Sequence, residues 1–498
     1  MKTPRFFLAI GFASTLLYLA VWYLSLQFNW GEGYADRPIL AYLAIYFTLF
    51  ALYAAACLRL REEAGNARML GLIIAFGLIF RAAIFPAQQI QEDDVYRYLW
   101  DGKVFANQIN PFKFSPEDIS YATEFRIRHP IAFRNTYDET SRKELEFLNT
   151  LRWSNETALI YFDRINHPDV PTIYPPLAQF VFSGVAMLKE DSIYLLRGAF
   201  LIFDLMALFF IIRTLQALGR NVNWCAVYFW CPLVIKETFN STHLDIIGIA
   251  FLCGSVYFFI ARRAYSSIAF LSLSVLGKLY PVILLPLYLK RFAWSETVDW
   301  KRVIGLTSLF GFIVLLGYLP FMDIGMKMFT GLNTFTAYWQ NNDSIFALIA
   351  WFYSDAIQLD PKLLLFEKYR LPEFAAKLTV AILLLSAVGY YFFKRGKTST
   401  EASLQSLFVI MALVFLLSPV QNPWYLCWSV PFLCFYPLRS GLLLTGLVGF
   451  YYLDFYFDYQ NLDAYVAWIP WFEYLPFYCV LIWEWRQRQK TGLKGDLQ

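Results

Sequence analysis

Apolar stretches separated by short polar ones run from residue 5 to residue 485 of this chain, at roughly 5–28, 38–60, 68–88, 193–217, 223–240, 244–261, 265–278, 281–290, 301–321, 372–394, 403–418, 424–438, 441–457 and 465–485. A run of roughly 18 to 25 apolar residues crosses about 30 Å of hydrocarbon as a helix. Backbone polar groups in lipid must be satisfied within the segment, so helices are the expected spanning form. The pattern predicts an all-α polytopic membrane protein of about 12–14 transmembrane or re-entrant helices, one integral membrane domain over residues 1–498. Two outer loops interrupt it, a large one at 89–192 and a second at 322–371.

Three shorter features refine this layout. Tyr174 to Leu188 is too short for a full crossing and is expected to lie in or dip into the outer leaflet. The pair 265–278 and 281–290, split at Lys278-Leu-Tyr-Pro281, predicts a broken re-entrant hairpin, which a membrane tolerates only where protein or water satisfies the freed backbone. In the large loop, Val95, Tyr98, Leu99, Gly102, Phe105 and Ala106 recur at helical spacing until Asn110-Pro111 stops them, predicting an amphipathic helix at the membrane surface. The 115–165 stretch, rich in Glu, Arg and Asn, and the segment from Asp163 to Pro176, which carries four prolines, both suit a loop domain over a cavity.

Composition agrees with the periodicity. The chain is 58% hydrophobic and only 16% charged, where soluble domains carry about 25% charge; its mean hydropathy is +0.45. The net charge of +4 is small and no Lys/Arg block resembles a nucleic-acid arm, so nucleic acid is not an expected partner; the lipid bilayer is. The seven cysteines form no CxxC pair and read as small apolar packing residues. Met1 to Gln27 has a basic start followed by an apolar run, but no small-x-small cleavage site, and reads as a retained first span.

Short cytoplasmic loops are enriched in Lys and Arg. If Lys2 and Arg5 lie inside, alternation places Arg59, Arg61, Arg68, Arg213, Arg220, Arg262, Arg263, Lys290, Arg291, Lys301, Arg302, Lys394, Arg395, Lys397, Arg439, Arg486, Arg488 and Lys490 inside as well. Both termini are then cytoplasmic, and the acidic stretch at 92–94 faces the periplasm or an organelle lumen.

That stretch, Gln91-Glu-Asp-Asp-Val-Tyr-Arg-Tyr-Leu-Trp-Asp101, is the leading chemical candidate. Asp93, Arg97 and Asp101 stand at i, i+4 and i+8 and share one helical face, with Asp94 beside it. Such a face offers a base and a cation for an anionic leaving group; equally, Asp93 can cap the helix while Arg97 pairs with Asp101. Lys278 is the strongest anomaly within the apolar runs, since a cation there needs a partner or a polar cavity, unless it snorkels to the headgroups. Lys236, Glu237, His243 and Asp245 fit a cavity wall, although a solvated loop explains Lys236 and Glu237 equally well. His129, His167 and His243 are the only histidines and lack metal-ligand spacing. Gln340-Asn-Asn-Asp343 and Gln421-Asn-Pro-Trp-Tyr425 combine amides with aromatic rings, which suits a sugar and equally suits an interfacial belt. The sequons at Asn155, Asn240 and Asn342 are acceptors only in a eukaryotic lumen.

Taken in order, Glu92-Asp-Asp-Val-Tyr-Arg-Tyr-Leu-Trp-Asp-Gly102, Asn110-Pro-Phe112, His167-Pro, Tyr174-Pro-Pro-Leu177, Lys278-Leu-Tyr-Pro281 and Gln421-Asn-Pro-Trp-Tyr425 resemble multi-span GT-C glycosyltransferases, most nearly bacterial glycosyltransferase family 87 and the GPI mannosyltransferase I type. The resemblance implies a GT-C-like bundle. It also implies an inverting transfer of a hexose, mannose by the family, from a polyprenyl-phosphate sugar donor to a glycolipid or cell-envelope glycan acceptor on the non-cytoplasmic face, in a bacterial inner membrane. By carry-over, Asp93 or Asp94 is the general base, with Asp93 preferred, and Arg97, Lys278 and Tyr280 bind the donor phosphate. Asp101, His167, Tyr174, His243, Asp245, Asn342 and Gln421 line the substrate and acceptor cavity. No cofactor or metal site is implied, and a divalent metal is left open. The chain departs from the family in placing the acidic loop after the third span rather than the first, and in reading Glu-Asp-Asp instead of Asp-x-Asp. The alternatives are a lipid-linked glycan flippase, which calls for paired broken helices in two halves, and a glycan polymerase or ligase.

Overall fold

A computed structural model of the chain describes residues 3–61, 67–294, 297–365, 369–394 and 399–490. Lys2, Arg395 and Lys397, counted above among the basic loops, lie outside the described residues.

The first three apolar runs are helices α1 (Thr3–Ser25), α2 (Ile39–Leu60) and α3 (Ala67–Ile84), with α1 packed on both others. The large loop is itself helical: α4 (Asp94–Ala106), α5 (Pro116–Arg128), α6 (Pro130–Thr136), α7 (Glu139–Arg152), α8 (Glu156–Asp163) and α9 (Pro176–Leu188). Ser115, Asp138 and Asn155 start α5, α7 and α8 with side chains that accept a backbone N–H three residues on, satisfying donors that the first turn leaves without partners. After α10 (Ile193–Ala217) come α11 (Ala226–Phe229), α12 (Pro232–Phe239), α13 (Asp245–Ile260), α14 (Ala264–Gly277) and α15 (Leu285–Ala293). Then follow α16 (Trp300–Tyr318), α17 (Thr330–Tyr338), α18 (Ile345–Trp351), a two-residue pair β1 (Leu364–Leu365) and β2 (Tyr369–Arg370), α19 (Leu371–Phe393) and α20 (Thr400–Leu417). The chain ends in α21 (Pro423–Leu426), α22 (Val430–Leu433), α23 (Arg439–Leu447), α24 (Leu453–Tyr459) and α25 (Ile469–Lys490).

Among the described residues, eight helical segments are long and apolar enough to cross a membrane, and the protein is an all-α polytopic membrane protein. The other apolar runs differ from continuous spans. Those expected at 223–240 and 424–438 are broken into short helices where Pro232 and Pro431 lack the N–H a helix interior needs. The 441–457 run changes to 3-10 geometry at Val448–Tyr452. α13 and α14 are continuous but short, and they pack on each other with α10 against α13. The expected break at Lys278 is present: α14 ends at Gly277, Lys278 is extended, and a 3-10 turn at Tyr280–Leu284 leads into α15. These broken segments form the interior, with every residue from Cys225 to Ala250 buried. Six of the seven cysteines are buried there and elsewhere in the packed interior, and Cys479 is exposed.

Charged side chains within the bundle have polar partners, some of them in ion pairs, as the low-polarity surroundings require. Arg81 on α3 donates to Asp204 on α10 at 2.5 and 3.1 Å, and the Tyr228 hydroxyl donates to the same carboxylate at 2.7 Å.

The surface amphipathic helix expected at 95–106 is a correction. α4 is buried from Val95 through Val104, because α8 and α9 cover the sides that its polar residues mark as exposed. Those polar residues are satisfied internally: Lys103 donates to Asp191 at 2.6 Å and Arg97 to Asp101 at 2.8 Å. The contact with α9 depends on Gly102, where an added Cβ would lie 2.5 Å from the Phe182 carbonyl oxygen. One turn earlier, the Tyr98 and Phe182 rings stack at 4.8 Å. Gly102→Ala forces the two backbones apart and is expected to cost about 1–3 kcal/mol, measured as a lower melting temperature in detergent; an unchanged melt would contradict this packing.

Candidate active site

The chain leaves α3 through Phe85–Pro86 and turns into α4, which brings Glu92, Asp93 and Asp94 to the top of the buried helices. Asp93 holds the N-cap position of α4, yet its side chain makes no capping bond. Its Oδ1 instead accepts from Asn166 Nδ2 at 2.7 Å, and the same amide nitrogen donates to Asp94 Oδ1 at 2.8 Å. Asn166 thus bridges two carboxylates that would otherwise only repel. The Tyr98 hydroxyl adds a longer bond to Asp94 at 3.3 Å. Burial, followed by the adjacent Asp94 charge, pushes the Asp93 carboxyl up to about 7. Burial also raises Asp94, against the lowering effect of the Asn166 bond and of Lys278.

Two cavities meet at this acidic end, and Gln91, Glu92, Asp93 and Phe455 line both. The first, of about 440 Å³, is walled by Asp94, Arg97, Tyr98, His167, Tyr174, Lys278, Tyr280, Trp339, Trp424 and Tyr425. The second, of about 630 Å³, lies toward α1, α2 and α10 and is lined by Trp30, Arg37, Tyr96, Arg164 and Tyr459 among others. Two carboxylates stand at their junction, Asp93 and the more deeply buried Glu92, which is turned toward His243; Asp94 faces the first alone.

The cations of the first cavity are held from behind. Lys278 does not snorkel away: its Nζ donates to both oxygens of Asp245, at 2.7 and 2.9 Å, and sits 4.1 Å from the centre of the Tyr425 ring. Asp245 Oδ1 also accepts from Trp428 Nε1 at 2.6 Å. Arg97 pairs with Asp101 and donates Nη1 to the Val170 carbonyl at 2.9 Å, while its Nη2 is buried without an acceptor. Both cations therefore reach the cavity with donors arranged by a carboxylate outside it.

Of the residues expected from the sequence, Asp93, Asp94, Arg97, Lys278, Tyr280, His167 and Tyr174 line the first cavity together. Five others do not line it. Asp101 lies behind Arg97 and accepts from Gln179 at 3.3 Å. Asp245 lies behind Lys278. His243 is 2% exposed, stacked on Trp424 at 3.9 Å, with Nδ1 3.7 Å from Asp94 and Nε2 3.4 Å from Glu237. Asn342 is tied to Glu473 at 2.7 Å, and Gln421 spends its amide on the Leu416 and Ser418 carbonyls. Asp101, Asp245, Asn342 and Gln421 instead bond to neighbours in the packed interior, and His243 is held by its stacking on Trp424. Lys236 and Glu237 are not in a solvated loop either. Both are 2% exposed, with Lys236 donating to Ser241 at 2.7 Å and to the Tyr452 hydroxyl, which itself donates to Glu237 at 2.8 Å. The Asn240 sequon is fully buried and its side chain bonds to the backbone of Gln88 and Ile90.

Sequence reasoning missed Asn166, Leu332 and Phe335 in the first cavity and, apart from the Gln91–Asp93 stretch, the lining of the second. Asn166 stands one residue before the His167-Pro motif, and that proximity was the one available signal for it.

Among the described residues no group of three or more His, Cys, Asp or Glu side chains is placed to hold a metal ion. Comparison with curated proteins and with solved structures returns no match. Residues 172–419, the segment that carries Tyr174, Asp245, Lys278 and Tyr280, match the family model of Glycosyltransferase family 87, and over this segment the chain belongs to that GT-C-type family of glycosyltransferases.

Proposed function

We propose that this glycosyltransferase is an inverting hexosyltransferase that takes its sugar from a polyprenyl-phosphate carrier, with mannose the sugar favoured by the family resemblance, and places it on a glycolipid or cell-envelope glycan. The observation that supports the reading most directly is the position of Asp93 at the junction of two cavities, free of any capping duty. One of these cavities presents Lys278 and Arg97 to an anion.

In this reading the donor phosphate lies in the first cavity against Lys278 and Arg97, with Tyr280 and Tyr425 flanking it. The acceptor hydroxyl approaches from the second cavity and donates its hydrogen to Asp93. Its oxygen forms the new bond to the anomeric carbon as the bond from that carbon to the phosphate oxygen breaks. The electron pair leaves with the polyprenyl phosphate, whose growing charge the two cations stabilise, and the proton remains on Asp93 until product departs. Attack from the side opposite the leaving group inverts the anomeric configuration. Asp94, on the donor side and bonded by Asn166 and Tyr98, positions rather than deprotonates. The same proposal has both termini cytoplasmic and the cavities opening on the periplasmic or lumenal face, supported by the gathering of Lys and Arg on the opposite set of loops.

Transfer from a synthetic polyprenyl-phosphate hexose in detergent tests the reading, and failure of the wild-type protein to transfer from any carrier would overturn it. Asp93→Asn is expected to lower kcat at least about 100-fold, since a general base contributes about that much, and Asp94→Asn less; full activity in both would remove the acidic pair from the mechanism. Lys278→Gln is expected to reduce kcat/KM for the donor about 100-fold, the scale of a lost donor to a developing oxyanion. A base must be unprotonated to act, and Asp93 sits at about 7. kcat/KM is therefore expected to fall about tenfold per pH unit below that value and to level off above it. A profile flat from pH 5 to 8 would exclude Asp93 as the base.

A further inference from the structure

The second cavity has a charge imbalance that the transfer reaction itself does not explain. Four basic residues line it: Arg37, Arg164, Lys189 and Arg197. Arg197 is consumed by the fold, being 1% exposed and donating to Thr242, to the carbonyls of Phe85 and Ala87 and to that of Asn240. Lys189 is an exposed residue at the rim. Of the acidic residues in the wall, Asp191 is taken by Lys103 at 2.6 Å and Glu92 is buried toward His243. Asp93 lies where the two cavities meet, near enough for the Arg37 charge to act on its carboxyl but not paired with either guanidinium.

Arg37 and Arg164 remain. Each is half-buried and held in place, but by neutral groups alone. Arg37 donates Nη1 to Gln91 Oε1 at 2.5 Å and Nη2 to the Asn29 carbonyl, and lies over the Tyr34 ring at 4.1 Å. Arg164 donates Nη1 to the Tyr96 hydroxyl at 2.9 Å and sits 5.4 Å from the centres of both the Trp30 and Tyr96 rings. The Nε of each has no acceptor, and among the described residues neither Arg has a carboxylate within ion-pair distance. Carbonyls, amides, phenols and rings orient a guanidinium without neutralising it. Two fixed, uncompensated forks on one cavity wall are suited to an oxyanion, which accepts paired N–H groups. The aromatic rings beside them offer flat faces for sugar C–H groups.

We propose that the second cavity binds an acidic glycan, a sugar bearing a phosphate or a carboxylate, through Arg37 and Arg164, and that this glycan is the acceptor. The identification as acceptor rests on the glycosyltransferase reading above; the binding does not. Isothermal titration of the full-length protein in detergent with methyl glucoside 6-phosphate, methyl glucuronide and methyl glucoside tests it without turnover. One or both acidic sugars are expected to bind at least about tenfold more tightly than the neutral one, the scale of one charged hydrogen bond. The tighter of the two identifies phosphate or carboxylate as the group recognised. Arg37→Gln and Arg164→Gln are each expected to remove the preference, Arg→Lys at either position to restore part of it, and Lys189→Gln to leave it intact, with melting temperature confirming that each variant folds. Equal affinity for all three sugars, no binding of any, or a preference that survives both Gln variants would overturn the proposal. An acidic preference in a protein that transfers from no lipid carrier would overturn the glycosyltransferase reading and leave this site standing. Transfer to the neutral sugar with the same KM as to the acidic ones would do the reverse.

Discussion

The ion pair between Lys278 and Asp245 is the interaction on which the rest of this interior turns. A cation that close to the apolar core is costly unless a carboxylate accompanies it and the remaining hydrogen-bond positions are filled. Both conditions are met, by the two-oxygen contact to Asp245 and by Trp428 on the same carboxylate. The pair also accounts for the direction the chain takes at the break after α14. α14 stops at Gly277 so that Lys278 can extend toward α13, and the two helices approach closely enough that a Cβ on Gly277 would lie 2.9 Å from the Gly248 Cα. Ser274 Oγ closes the contact on the Gly248 carbonyl at 2.8 Å. Removing either partner of a buried pair costs about 3–5 kcal/mol because the other is left stranded. The charge at the cavity wall and the packing of two central helices are therefore one feature.

The acidic end works by the opposite device. Here like charges are brought together and kept from ionising freely by burial, and a neutral amide, Asn166, joins them. Arg97, three residues past Asp94, could have neutralised the cluster, but it is turned to Asp101 on its own helix and to the Val170 carbonyl. The carboxylates and the cations thus face one cavity without cancelling each other. That separation is what a transfer reaction needs: a base that stays basic on one side of the reacting carbon, and positive charge that stays available on the other.

How much of this was legible in the sequence follows from range. Features that report on their own neighbourhood were readable: the long spans, the break at Lys278-Leu-Tyr-Pro281, the helix starting at Asp94, and Asp93, Asp94, Arg97 and Lys278 as polar groups too close to hydrocarbon to be idle. Features that depend on what packs across the fold were not. α4 has one apolar face in sequence and reads as a surface helix, yet α8 and α9 cover its other sides. His243, Asn342 and Gln421 mark the same polar interruptions as the cavity residues, but point to Glu237, Glu473 and local carbonyls. Arg37 and Arg164 were invisible because nothing within a few residues of either separates an anchored, unpaired guanidinium from an ordinary loop arginine.

The segment that matches the family contributes to both cavities and completes neither. The segment 172–419 that matches the family carries Lys278 and Tyr280, together with Asp245 behind them. Asp93, Asp94 and Asn166 lie before that segment, as do Trp30, Arg37 and Arg164. On the proposed mechanism the donor side draws Lys278 and Tyr280 from the family segment, Arg97 from α4 before it and Tyr425 from α21 after it. The base is supplied by the start of α4, and the second cavity by the connections around α1, α2 and α8 together with Lys189, Asp191 and Arg197 of the family segment. Acceptor recognition can then change by altering Trp30, Arg37 or Arg164 without disturbing Lys278, because no hydrogen bond or ion pair links the two sets of side chains among the described residues. Asp93, with its one bond to Asn166, is the point at which the two halves meet.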